Sequence, residues 1–204
     1  MPVQFGGWTW VAAWPGADVL ALAGAYLGLG PRVLGKRADG TIHPLAVALL
    51  LPFFLGTWLV WWLQGALARK APSHQVAPGV WLGRRPFRGD LPEGIRLVVD
   101  LTAEFPVDRR IRAEVPWVCR PTLDATPPTV PDGRALLEQI EAAGGPVFIH
   151  CAAGHGRSAT VAAALLVRRG LAPDAEAAEA ALRGARPGVR LRSRQLARVR
   201  ELCA

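Results

Sequence analysis

This chain predicts an α/β layered domain preceded by an apolar, membrane-directed helical segment. Two observations predict it. Over the last two-thirds of the sequence, short runs of β-branched and apolar residues alternate with helical patterns, which is the signature of a sheet layered with helices. Ahead of them, residues 8–30 and 44–67 are almost devoid of charge, whereas later stretches of that length carry several. The 204 residues suffice for one catalytic domain and a smaller appendage, and the two apolar runs lift the hydrophobic share to 51%.

The N-terminal part, residues 1–72, reads as a membrane segment with one or two transmembrane helices, about 8–30 and 45–67. The uncharged stretch Leu45–Leu67 exceeds the roughly 20 residues a span needs. Trp58, Trp61 and Trp62 gather at its C-terminal end, where amphipathic rings favour headgroups, and Arg69 and Lys70 follow as flanking charges. Pro52 would kink this helix without forbidding it. The first run is interrupted by Pro15 and Gly16, and Asp18 near its middle costs about 2.5–3.5 kcal/mol on insertion scales. It spans, lies in the interface or re-enters. Residues 71–75, small, polar and proline-containing, read as a linker to a domain over 73–204.

Within that domain Val80–Leu82, Ile95–Leu101, Val115–Cys119 and Pro146–His150 have strand character. Residues 121–131 hold four prolines and read as loop. Leu136, Leu137 and Ile140 place an amphipathic helix over Asp132–Ala143, ended by Gly144 and Gly145, with Asp132 as its cap. Further helices are expected over Ser158–Arg169, near 174–184 and near 193–202.

The formal net charge is +8, yet no RNP signature, zinc-finger spacing or helix-turn-helix pattern accompanies it, so nucleic acid is not the expected partner. Arginine supplies nearly all the positive charge, Lys36 and Lys70 being the only lysines, as a GC-rich coding bias would produce. The run of arginines between Arg183 and Arg200 has either a solvated role or one on anionic headgroups. Cys119, Cys151 and Cys203 are spaced for neither a disulfide framework nor a metal site. Their odd number fits a reducing compartment. The catalytic domain is therefore expected to face the cytoplasm.

The chemistry concentrates at residues 150–158. Cys151 and Arg157 are separated by five residues, directly after a strand and directly before a helix. A loop in that setting points successive N–H groups inward, and the helix N-terminus adds partial positive charge, so a phosphate dianion fits the cradle. Ala152, Ala153, Gly154, His155 and Gly156 form its rim, with the glycines supplying unusual torsions. Arg157 offers a planar fork for two phosphate oxygens. The same field lowers a thiol's pKa, making Cys151 a nucleophile, and Ser158 can hydrogen-bond to its sulfur. His150 precedes the cysteine. The leaving alcohol needs an acid on a movable loop, and Asp124 and Asp132 are the candidates. Asp124 also fits a turn that caps Thr126.

Together with Val80–Gly83 and Arg186–Val189, this loop resembles the signature of the protein tyrosine and dual-specificity phosphatase superfamily, over about residues 76–203. The resemblance implies a central, mainly parallel sheet flanked by helices, and no metal or organic cofactor. It also implies a cysteinyl-phosphate intermediate, with Asp124 as general acid because of its interval from Cys151. The substrate it implies first is a phosphoprotein. Thr122–Pro128 is similar to the acid loop of phosphatidylglycerophosphate phosphatases. Ala153–Arg157 resembles phosphoinositide phosphatases, with His155 where those carry lysine, so a phospholipid is the alternative. An inactive phosphate-binding module is a further reading, although such proteins typically lose the Cys, the Arg or the acid. Cys119, at the end of a neighbouring strand, is a candidate for a protective disulfide with Cys151.

Overall fold

Leu97–Thr102 and Val147–Cys151 are buried on both faces, as strands enclosed between layers must be, and they pair in parallel at the centre of a five-stranded sheet. The computed structural model describes residues 8–67, 71–87 and 89–204, with side chains from residue 13 onward. Its strands are β1 (Ser73–Ala77), β2 (Val80–Arg84), β3 (Leu97–Thr102), β4 (Trp117–Thr122) and β5 (Val147–Cys151). Their spatial order is β1-β2-β5-β3-β4, with β1 antiparallel and the others parallel. Among the described residues three α-helices, α1 (Trp8–Gly24), α2 (Pro44–Leu49) and α3 (Leu51–Leu67), precede the sheet, with a π-helical turn (Ala25–Leu29) and a 3-10 turn (Gly30–Leu34) between α1 and α2. Five follow within it: α4 (Arg109–Glu114), α5 (Val130–Ala142), α6 (Arg157–Arg168), α7 (Ala175–Ala185) and α8 (Ser193–Cys203). The expected mainly parallel sheet flanked by helices is the fold observed.

Alternation along the strands sorts the two faces. Leu97, Val99 and Leu101 share one core with Ile149, Leu136, Leu165 and Val199 from the helices, whereas Val98 and Phe148 meet Ile95 and Trp117 on the other face. The proline-rich segment is loop only from Leu123 to Thr129, because β4 runs on to Thr122 and α5 starts at Val130. Asp132 is not the helix cap. Thr129 is, its hydroxyl accepting from the Asp132 N–H. Residues 73–75, read as linker, begin β1. Their polar composition hides an edge strand whose hydrogen bonds to β2 do not depend on side-chain type. The sequence reading also passed over α4, a six-residue helix capped by Asp108.

The candidate Cys119–Cys151 disulfide is excluded by topology. β3 lies between β4 and β5, which places Cys119 and Cys151 two strand spacings apart, about 10 Å, beyond the roughly 7 Å a bridge allows. Both cysteines are free and buried.

The N-terminal helices differ most from expectation. The 45–67 run is broken at Leu50, where Pro52 has no N–H for the Ala48 carbonyl and its ring crowds that turn. In an unbroken helix the Phe53 N–H would donate to the Leu49 carbonyl. Instead Asp18 accepts from Phe53 N–H at 2.8 Å, and the Trp14 indole donates to the Leu49 carbonyl at 2.7 Å. Asp18 is therefore a buried cap for α3 rather than a charge in lipid. The 17 residues of α3 span about 25 Å, less than a hydrocarbon core. Among the described residues Ala13–Leu34 is the helical stretch long and apolar enough to cross a membrane, by length and composition. Trp58 and Trp61 do not sit free for headgroups but pack against Phe54, Phe87 and Phe105, while Trp62 is exposed. Arg69, Lys70 and Arg88 lie outside the described residues.

A buried ion pair ties this segment to the sheet. Lys36, between the first helices, donates to Asp100 Oδ2 at 2.7 Å and to the Thr102 carbonyl and hydroxyl at 2.7 and 2.8 Å. Both side chains are essentially inaccessible. Burial raises the Asp100 pKa, but the Lys36 and His150 charges and hydrogen bonds from Lys36 and Thr102 outweigh it and set it at about 2. A depressed carboxylate stabilises the fold above its unfolded value of 3.8, and that contribution is lost as pH falls through about 2. Lys36→Ala strands the Asp100 charge and is expected to remove about 3–5 kcal/mol of stability, read as a lower denaturation midpoint of the solubilised protein. The exposed neighbour change Arg32→Ala should shift stability by less than about 0.5 kcal/mol.

Candidate active site

Strand β5 ends at Cys151 and α6 starts at Arg157, so residues 151–157 turn within one loop over the C-terminal edge of the sheet. That edge is where open α/β sheets bind ligands. The turn requires glycine at 154, where φ is +79° and an added Cβ would lie 2.3 Å from the Gly83 carbonyl oxygen. Gly156 has an ordinary negative φ, and the constraint there is space, since a Cβ would sit 3.1 Å from the Gln195 amide.

The Cys151 sulfur is buried and accepts from the Gly154 N–H and the Ser158 hydroxyl, both at 3.2 Å. Burial alone would raise its pKa. The Arg157 charge, the Ser158 hydroxyl and the N–H groups of Ser158 and Gly154 reverse this, and the net direction is down. Cys119 provides the contrast: burial and the Asp100 charge push it up to about 12.

Arg157 is almost wholly buried. Its Nη1 and Nη2 donate to the two carboxylate oxygens of Glu104 at 2.8 and 2.6 Å, and Nη1 also donates to the Thr122 carbonyl at 2.9 Å. Burial opposes the charge, yet Glu104 more than restores it and the pKa moves up. Nε is buried without a protein partner, a donor available to a phosphate oxygen. Glu104 is the functional candidate that sequence reading missed. It stands 53 residues from Arg157, and no local pattern marks it beyond an acidic side chain just past a buried strand. Asp124 Oδ1 lies 3.2 Å from Arg157 Nη2, and its side chain is 77% exposed. The residue sits in a tight turn in which Ala125 has φ of +59°, but Thr126 donates its N–H and its hydroxyl to the Leu123 carbonyl, so the turn is closed by backbone and not by an Asp124 cap on Thr126. Asp132 lies on α5, bonded to Thr129, away from this cluster.

His150 lies beneath the loop. Burial depresses it to about 4 against the pull of Asp100, so it is neutral near pH 7. Its Nδ1 is 3.4 Å from the Cys151 carbonyl, and its ring packs on Trp117 and Phe148. It supports the loop and does not reach the sulfur. Arg186 braces the opposite side, donating to the carbonyls of Gly154 at 3.0 Å and Ala153 at 3.1 Å and to His74 Nδ1 at 2.9 Å. The arginine run is thus divided: Arg186 holds the loop, Arg198 pairs with Glu201 and Arg200 with Glu176. Ala152, Ala153, His155 and Gly156 line the cavity over Cys151, and no His, Cys, Asp or Glu cluster among the described residues could hold a metal.

Side chains from the N-terminal helices reach each catalytic loop. The Tyr26 hydroxyl donates to the Asp124 carbonyl at 3.2 Å, the Trp58 indole to the Glu104 carbonyl at 2.9 Å, and the Trp61 indole to the Ala152 carbonyl at 3.0 Å. Between them and the loop lies a cavity of about 580 Å³ that opens onto Cys151, Arg157 and Asp124.

A parallel sheet with a thiolate loop, a buried arginine and a facing carboxylate defines the phosphatase domain of the tyrosine and dual-specificity type, a hydrolase fold. The comparisons narrow this. Residues 90–200 match the family described as "PTP-SAK: Swiss Army Knife protein, DSP-PTPase phosphatase domain", and the chain belongs to it. Among solved structures, PTPMT1 in complex with PI(5)P is 26% identical with a TM-score of 0.57, covering 65% of this chain and 94% of its own. Tk-PTP in its active form is 30% identical at a TM-score of 0.56, covering 65% and 96%. A mouse putative dual specificity phosphatase complexed with zinc tungstate, 24% identical at 0.58 over 66% and 88%, shares the fold. No curated protein matches the chain.

The depressed thiol predicts selective alkylation. Iodoacetamide should modify Cys151 with a pH midpoint below the ordinary thiol value and spare Cys119, measured by peptide mass spectrometry across pH. Ser158→Ala, which removes one bond to sulfur, should move that midpoint upward.

Proposed function

We propose that this protein hydrolyses phosphomonoesters at a membrane surface through a cysteinyl-phosphate intermediate, and that its substrates are lipid phosphates rather than phosphoproteins. The Cys151 thiolate attacks phosphorus in line while the phosphate oxygens take up the loop N–H groups and the free Arg157 Nε–H. As the P–O bond breaks, Asp124 gives its proton to the leaving oxygen. Water then attacks phosphorus, Asp124 takes its proton, and the sulfur departs as thiolate with the Ser158 hydroxyl donating to it. His150, Ala152, Ala153, Gly154, His155 and Gly156 shape the cradle, and the reaction calls for no cofactor.

One observation carries the lipid reading. The part of the catalytic cavity lined by α1 and α3 is largely apolar, with Leu22, Phe53, Gly56 and Val60 beside Thr57 and Gln64. The same two helices expose Leu20, Leu55, Leu59 and Leu63, apolar side chains of the kind that mark membrane or partner surfaces when they gather. A phosphopeptide would gain little from such a wall, whereas an acyl-bearing ester would. This reverses the order suggested by the sequence, where the phosphoprotein stood first. The likeness to PTPMT1, solved in complex with PI(5)P, supports the same direction. The domain over 73–204 is placed on the cytoplasmic face because its thiol must stay reduced.

Cys151→Ser should abolish phosphate release and serve as the blank for a comparison of phosphatidylglycerophosphate micelles with a phosphotyrosine peptide. Higher kcat/KM on the lipid is expected; preference for the peptide would return the phosphoprotein reading. Asp124→Ala should slow alkyl phosphates at least about tenfold more than aryl phosphates, which leave without a proton, and equal slowing would remove Asp124 as the acid.

A further inference from the structure

We propose that α1 and α3 form the leaving-group subsite of the enzyme, with a notch at Gly56 that receives the apolar tail of the substrate; this rests on the lipid-phosphatase reading. Phe53, Gly56, Thr57, Val60 and Gln64 all line the catalytic cavity. Their spacing of three, four and seven residues puts them on one face of α3. On that face Gly56 alone has no side chain, and a Cβ built there meets nothing within 4 Å. A glycine in a helix interior costs about 1 kcal/mol relative to alanine. Here it neither makes a close packing contact nor adopts a special torsion, so open space toward the cavity is what it supplies. Leu22 near the end of α1 and Tyr26 in the helical turn that follows it, Ala25–Leu29, form the facing side.

The wall is held in register with the chemistry. Tyr26, Trp58 and Trp61 each donate to a backbone carbonyl on a different catalytic loop: the acid loop, the Glu104 turn and the phosphate loop. They are positioning residues. A tail lying along α3 at Gly56 is thereby aimed at the ester oxygen between Cys151 and Asp124. These helices precede residues 90–200, which the family match covers, so the subsite is an addition built onto the shared phosphatase domain.

The test is the chain-length dependence of kcat/KM on monomeric n-alkyl phosphates, from butyl to dodecyl, kept below their micelle concentrations. Each fully buried methylene contributes up to about a fourfold gain, so the unmodified enzyme is expected to prefer dodecyl to butyl phosphate by more than about tenfold. Gly56→Leu, which fills the notch and favours the helix, should reduce that ratio to less than about threefold. The ratio is taken within each variant, so loss of folded enzyme cancels. A flat series in the unmodified enzyme overturns the subsite, and a steep series retained in Gly56→Leu overturns the assignment to Gly56. The lipid-phosphatase reading is judged separately, by p-nitrophenyl phosphate turnover and the micelle comparison; failure there would remove the proposal with it.

Discussion

A guanidinium buried beneath the 151–157 loop is tolerable only if a counter-charge meets it, and the site is organised around supplying one to its two terminal nitrogens. Glu104 takes both terminal nitrogens of Arg157, and the Thr122 carbonyl takes one of them again. Removing either partner of such a pair leaves an uncompensated charge in a low dielectric, so the pair fixes where the β3 and β4 ends must lie relative to α6. The same positive charge stabilises the Cys151 thiolate. The position of the loop, the state of the Cys151 sulfur and the placement of Asp124 beside Arg157 therefore depend on one interaction.

That interaction extends into the N-terminal helices. The Glu104 backbone carbonyl is held by the Trp58 indole, and Glu104 Oε2 is held by the Ala103 N–H. Lys36 enters the sheet edge beside Thr102, one element away. The apolar segment is consequently packed onto the site whose chemistry it borders, and the surface it turns outward stays apolar. An exposed apolar surface and a cavity wall are compatible in one pair of helices because a helix presents different residues on opposite faces.

Two local features escaped the sequence for a common reason. The 45–67 run was read as one helix, and it is two, because hydropathy counts residues and does not see where a hydrogen bond is interrupted. Pro52 gives only a hint, and the break persists because Trp14 and Asp18, more than 30 residues earlier, satisfy the freed carbonyl and N–H. Likewise β1 looks like a linker, since an edge strand is stabilised by backbone pairing that leaves little trace in composition. By contrast β3, β5 and α6 are legible, because their burial on every side forces continuous apolar runs.

What the sequence determined by itself was local: the strand–loop–helix at 147–168, the residues from Cys151 to Ser158 that such a turn brings together, and the order of the α/β elements. Backbone geometry over a few residues is enough to specify these. What only the tertiary structure decided was non-local: Glu104 as the partner of Arg157, Lys36 under Asp100, and the tryptophans of α3 against the catalytic loops. Those pairings join residues 46 to 91 positions apart, and their energy exists only after the chain has folded and water has left the space between them.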